Sequence, residues 1–165
     1  MADVESLTDW RNRHVRSFLT EFDATVPRTR NWLTTMVDRD DSRLLFMLED
    51  RDSGLVIGYL GLAFIDWHAG RAEADSVVRG AEGHAGAMSC ALSGLLRWAR
   101  SELGLISFGV RVLADNPALS FYVKQGFRES RRASLARVVR QGEIAWQEID
   151  GPGDRELVYM EYFES

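Results

Sequence analysis

Two short stretches carry residue types suited to chemistry. The first is the glycine-rich run from Arg79 to Gly86, RGAEGHAG, which opens directly into an apolar helical pattern. The first amides of a helix have no acceptor within it, its dipole favours an anion there, and glycine lets backbone approach a phosphate closely. A diphosphate can therefore sit on Gly83, His84, Ala85, Gly86, Ala87 and Met88. The run lacks the Gly-Lys-Ser/Thr of a P-loop and the spacing of the dinucleotide glycine fingerprint, so both are excluded. An ordinary strand-to-helix turn that uses glycine for its geometry is the plain alternative.

The second stretch is Asp115 to Phe127, DNPALSFYVKQGF, in which Asn116 begins a short helix that carries Tyr122. A phenol titrates near pH 10, stays protonated at neutral pH, and suits donation of a proton to a leaving group. The alternative is that Phe121 and Tyr122 simply pack a sheet. Other candidates are weaker. His14, His68 and His84 with the single Cys90 show no metal-ligand spacing. Cys90 lies beside Ala91 in a helical pattern and reads as a small buried hydrophobe. The arginines at 128, 131, 132, 137 and 140 read as a solvated face, although such a run can also hold a phosphate.

Elements must position these residues. Leu7, Trp10, Val15, Phe18 and Leu19 predict a first helix with Ser6 or Thr8 at its start; Trp32, Leu33 and Met36 predict a second after Pro27. The period then changes to two. Strands are expected over 44–48, 55–65 and 72–78, with a hairpin turn at Glu49–Gly54 and close backbone approach at Gly58 and Gly61. Met88, Ala91, Leu92, Leu95, Leu96 and Ala99 line one face of a strong helix that Gly104 ends. A strand through Phe108, Val110 and Val112 follows, then the Asn116 helix to Gly126, then strands over 127–139 and 156–163. The segment between those two is a loop or hairpin, and Trp67 and Trp146 are assigned to loops. Strand runs interrupted by helices imply a mixed sheet with helices on both faces.

Composition sets outer limits. The chain has 165 residues, 45% hydrophobic and 27% charged, enough for a real core and unlike a disordered chain. One domain over 1–165 is expected. Twenty basic against 25 acidic residues, a net charge of −5, argue against coating nucleic acid. A single cysteine excludes an internal disulfide framework and fits a reducing cytosol. The opening residues have no signal-peptide core and no apolar run reaches membrane-spanning length. A soluble, cytoplasmic protein is the expectation. The apolar last strand, ELVYMEYF, is a candidate edge for pairing with a second copy.

The pattern VRG…G-x-M…AL..LL.WA, followed by a strand and then DNPALSFYVKQGF, resembles the GNAT N-acetyltransferase superfamily over roughly 44–127. The loop departs from that family's pattern: Gly83 stands where a polar residue is usual, and Met88 where a small one is. LTDWRNRHVRSFL, with Trp10, Arg11 and Asn12, and AEADSVVRG before the loop resemble a branch that acetylates nucleotide-linked amino sugars. That branch's opening strand is nearly absent, since only MADVES precedes the helix.

The resemblance implies an α/β fold: a mixed, mostly antiparallel sheet flanked by helices and splayed between the family's fourth and fifth strands. It implies acetyl-CoA as co-substrate and a small-molecule amine as acceptor, attacking the thioester directly. Backbone groups of Ser76, Val77 and Val78 would pair with the pantetheine arm, and the loop from Gly83 to Met88 would take the diphosphate. Arg79 would add a cation, Asn116 would contact the cofactor, and Tyr122 would protonate the departing thiolate. A base is needed as well, because an alkylammonium is not nucleophilic. Glu73 and Asp75 share a strand face and either can accept that proton; a solvated face is the alternative. Rival readings are acetylation of a protein N-terminus or an antibiotic amine, and a non-catalytic module that binds coenzyme A.

Overall fold

The computed structural model describes residues 2–163. Residues up to Trp10 together with Ala24–Phe108 form one compact unit, and Arg11–Asp23 with the residues from Gly109 onward form another. The fold is mixed α/β, with mostly antiparallel strands and helices packed on them.

Helix α1 (Ala2–Arg13) starts earlier and stops sooner than its apolar spacing predicts. Acidic Asp3 and Glu5 lie in its first turn and basic Arg11 and Arg13 in its last, the arrangement its dipole favours. Thr8 is therefore interior rather than a cap. Its hydroxyl donates to the Val4 carbonyl and is hydrogen-bonded to the Thr29 hydroxyl, which satisfies a buried polar group. Past Arg13 the chain makes a single 3₁₀ turn (Val15–Ser17) and a two-residue strand, β1 (Thr20–Glu21). The segment folds back because Arg11 lies over both the Phe18 and Phe22 rings and donates to the Thr20 carbonyl at 2.6 Å. Phe18 and Leu19 are thus outside the helix.

Helix α2 (Val26–Trp32) is capped by Thr25 Oγ1, which accepts from the Arg28 amide, and has Pro27 in its first turn. It runs on as a π turn over Leu33–Val37. Strands β2 (Leu44–Glu49), β3 (Val56–Asp66) and β4 (Arg71–Arg79) form an antiparallel meander. Gly61 is required there, because a side chain would strike the Leu44 backbone. Helix α3 (Ala87–Leu103) buries Leu92, Leu95, Leu96 and Ala99, and Gly104 ends it at φ +71°. Cys90 is exposed, contrary to expectation. It precedes Leu92 by two residues and so lies about 200° around the helix from the buried stripe.

After β5 (Ser107–Leu113) comes α4 (Ala118–Lys124), then β6 (Phe127–Arg140), β7 (Glu143–Ile149) and β8 (Arg155–Tyr162). Trp146 belongs to β7, paired opposite Arg137, rather than to a loop. Strand β8 pairs with β5 on one side and β6 on the other. Its apolar sequence reflects an interior position, so it offers no edge to a second copy. Leu113, Leu135 and Leu157 pack together beneath Leu19, Trp146 and Tyr159. On β6, Arg132 is held by Glu129 and Glu156, and Arg131 by Glu148 while lying over the Tyr159 ring. These arginines form an ion-paired, solvated face. Among the described residues no helix is long and apolar enough to cross a membrane.

Candidate functional site

The glycine-rich run is prepared by a defect in the strand before it. Tyr59 pairs with Val78 but Gly61 pairs with Asp75, so β4 holds one residue more than β3 across this stretch. The extra residue is a β-bulge, and it puts Ser76 at φ +55°, a conformation that costs a non-glycine residue energy. A bulge breaks ladder pairing and re-aims the backbone, here at Ser76 and Val77. Beyond it the ladder resumes at Val78, whose carbonyl would stand only 2.6 Å from any side chain placed on Gly58. The chain leaves the sheet after exposed Arg79, where the amides of Gly80 and Ala81 both donate to the Ile57 carbonyl.

Trp10 governs this exit. Its indole is buried, stacks with Tyr59 at 6.2 Å and 11°, and occupies the place a side chain on Gly80 would need. Farther on, Gly83 and Gly86 adopt φ +86° and +80° with open space around both. Glycine is demanded there by backbone conformation, not by crowding. Gly86 precedes the first turn of α3, and among the described residues no side chain caps that end. The Ala87 amide bonds to the His84 carbonyl, and the Cys90 amide makes a helical bond to Gly86. Met88 does not obstruct this terminus, because its sulfur lies against Gly58, 3.2 Å from where a Cβ would be.

Charged groups border the run on the same unit. His84 Nδ1 is 3.2 Å from Asp50 Oδ2, which ties the glycine loop to the β2–β3 turn. Hydrogen bonds from the Ser53 amide and hydroxyl hold the Asp50 carboxyl below its ordinary range, with the Asp52 amide and His84 adding to the effect. Glu73 and Asp75 are both half-buried on β4. One Asp75 oxygen, Oδ2, accepts from Arg43 at 2.6 Å and from the Ser76 hydroxyl at 2.9 Å.

In the second unit, Asn116 Oδ1 accepts from the Ala118 amide at 2.9 Å, so the side chain starts α4 as the sequence suggests. Its carbonyl accepts from Leu119. Tyr122 is buried at 7% exposure, edge-on to Phe121 and Phe127 at 5.3 and 5.6 Å. Gly126, at φ +97°, ends the turn.

The first unit thus holds Glu73, Asp75, Ser76, Val77, Val78 and Arg79 on one strand and Gly83 to Met88 in the loop that follows. The second holds Asn116 and Tyr122 on one short element. Three residues that sequence reasoning passed over are Arg43, Asp50 and Arg155. Their partners lie far along the chain, 32 residues for Arg43–Asp75 and 40 for Arg155–Asp115, so no local spacing announces them.

The model of a family described as an acetyltransferase (GNAT) domain matches residues 1–128. No curated protein matches the chain in sequence. Among solved structures, it is similar to spermidine N-acetyltransferase from Vibrio cholerae in complex with CoA and spermine. That likeness has 17% identity and a TM-score of 0.74, over 97% of this chain and 89% of the other. It is also similar to a dodecameric structure of spermidine N-acetyltransferase from the same organism, with 15% identity, a TM-score of 0.70, and 98% and 88% coverage. At such identities the likeness is one of fold.

Proposed function

The chain belongs to the acetyltransferase (GNAT) domain family of acyl-CoA-dependent N-acetyltransferases, and on that premise we propose that it transfers the acetyl group of acetyl-CoA to a primary amine of a small molecule. The observation that carries this reading is the bulge at Ser76, followed within a few residues by the uncapped start of α3. The bulge re-aims backbone groups of Ser76 and Val77, and these, with Val78 where the ladder resumes, would pair with the amide-bearing pantetheine arm. The terminus, which no described side chain caps, suits the diphosphate through amides from Gly83, His84, Ala85, Gly86 and Met88, while the Ala87 amide, bonded to the His84 carbonyl, would have to exchange that bond for the phosphate. Exposed Arg79 adds a positive charge, and Asn116 contributes a cofactor contact through the amide nitrogen its capping role leaves over.

The neutral amine attacks the thioester carbon, the C–N bond forms, the C–S bond breaks, and the thiolate takes its proton from Tyr122. The amine gives up a proton to Glu73, directly or through water. Asp75 Oδ2 is engaged by Arg43 and the Ser76 hydroxyl, which leaves the proton-accepting role to Glu73 in this reading. Because an alkylammonium must first lose a proton, turnover rises with pH.

The Trp10-Arg11-Asn12 element resembles the amino-sugar branch, yet Trp10 fills the space over Gly80 and Arg11 is enclosed by two phenylalanine rings. Packing accounts for both, so the element does not favour a nucleotide-linked amino sugar over a polyamine such as the spermine bound by the first solved neighbour. Thiol release from acetyl-CoA, measured against spermidine, a nucleotide-linked amino sugar, an aminoglycoside and a peptide N-terminus, decides among them. Millimolar coenzyme A that gives no heat on titration, with none carried through purification, would overturn the whole reading.

A further inference from the structure

A densely connected side chain of the second unit is one the proposed chemistry does not use. Arg155, at the start of β8, is only 15% exposed and reaches three other elements and the turn before α4. Its Nε donates to Asp115 Oδ2 at 3.1 Å and its Nη2 to Asp115 Oδ1 at 2.6 Å, a two-pronged grip on one carboxylate. Nη2 also donates to the Arg16 carbonyl at 3.1 Å, and Nη1 lies 3.5 Å from Glu21 Oε1. The guanidinium lies over the Trp146 ring at 4.9 Å, and the indole Nε1 donates to the same Glu21 oxygen at 2.7 Å.

Asp115 immediately precedes Asn116, whose side chain starts α4. Two further bonds pin the same corner: the Ala114 amide donates to the Glu156 carbonyl and the Asn116 amide to the Leu113 carbonyl. Helix α4 has seven residues, too short to hold its own direction, so the corner before it sets where it points. Asp115 is 63% exposed, and an ion pair so wet contributes little stability. A fork-on-carboxylate contact does fix geometry, and lysine cannot reproduce it.

We propose that Arg155 is a positioning residue for acetyl transfer: it clamps Asp115 and so sets the orientation of α4, and with it Asn116 and Tyr122. This rests on the reading of Tyr122 as the acid. Glu21 and Trp146 brace the guanidinium from behind, so the clamp joins β1, β7 and β8 to the corner that launches α4.

Arg155→Lys keeps the charge and loses the fork. Hydrogen exchange and steady-state kinetics on the full chain test it, with Asp115→Asn as a second variant that leaves Arg155 in place. The expected result is faster exchange confined to 114–124. With it, kcat falls about 10- to 100-fold, the range a misplaced catalytic group produces, while KM for acetyl-CoA changes little. Added to Tyr122→Phe, Arg155→Lys should cost nothing more, since the two act through one group. Unchanged exchange over 114–124 in both variants overturns the clamp, and so does a kcat loss that multiplies in full with Tyr122→Phe. A Tyr122→Phe enzyme as fast as wild type overturns the acid assignment instead, and exchange then decides the clamp by itself.

Discussion

The run from Ser76 to Met88 and the corner from Asp115 to Tyr122 solve opposite problems. The first leaves backbone groups available: a bulge, two glycines at positive φ and a helix start that no side chain among the described residues caps. Its rigidity comes from apolar shape, with Trp10 over Gly80 and Met88 against Gly58. The second commits its polar groups: Asn116 caps, Asp115 is gripped by Arg155, and Tyr122 sits among aromatic rings. In the proposed reading, an extended anionic cofactor is held by amides that no side chain has claimed. Delivering one proton requires a side chain held in one orientation.

The contrast can be broken by substitution. The largest effect is expected at Tyr122→Phe, which should lower kcat by about 10²- to 10⁴-fold, the usual value of a positioned acid. Coenzyme A affinity by calorimetry should stay within a factor of a few, because the hydroxyl belongs to the orientation side of the comparison. Gly80→Ala comes next. Its methyl group would meet the Trp10 indole, and overpacking of this kind costs about 1–3 kcal/mol, read as a shift in the denaturant midpoint.

Gly86→Ala sharpens the difference between the two kinds of glycine. Nothing crowds that position, so only the left-handed backbone is penalised, by about 1–2 kcal/mol. Coenzyme A binding should weaken alongside stability, whereas Gly80→Ala should act on stability first. Equal responses in both assays would erase the distinction.

The smallest effect should be at Asp50→Asn, and it should depend on pH. Asp50 titrates below its ordinary range when folded, so its stabilising contribution is present above the unfolded value, about 4, and is lost as pH falls through the lowered one. Wild type should therefore melt higher than the variant near neutrality, and the gap should close on acidification. A gap that widens in acid would show that Asp50 is not held as a carboxylate.

Much of this molecule can be read from residue order, and the reason is locality. The glycine turn before α3, the Gly104 stop, the Asn116 start of α4 and the period-two strands each depend on neighbours within a few positions. The misreadings share the opposite cause. Phe18 and Leu19 continue an apolar spacing, but Arg11 draws Phe18 off the helix under its guanidinium, and Leu19 packs on Leu113, Leu135 and Leu157 from far along the chain. Cys90 has a small side chain beside alanine, and only the phase of the buried stripe exposes it. ELVYMEYF suits an edge or an interior strand equally, and pairing on both sides decides for the interior.

Periodicity, turn chemistry and motif spacing by themselves determined the family and the order of the longer elements, because each is written over a short stretch of chain; β1 and β7, which pair with each other from opposite ends of the sequence, were not among them. Tertiary structure alone decided which polar groups are committed: Asp75 to Arg43, His84 to Asp50, and Asp115 to Arg155. Those pairs join residues from distant parts of the chain. Whether a charge is engaged or available is a property of distance in space, which residue order does not carry.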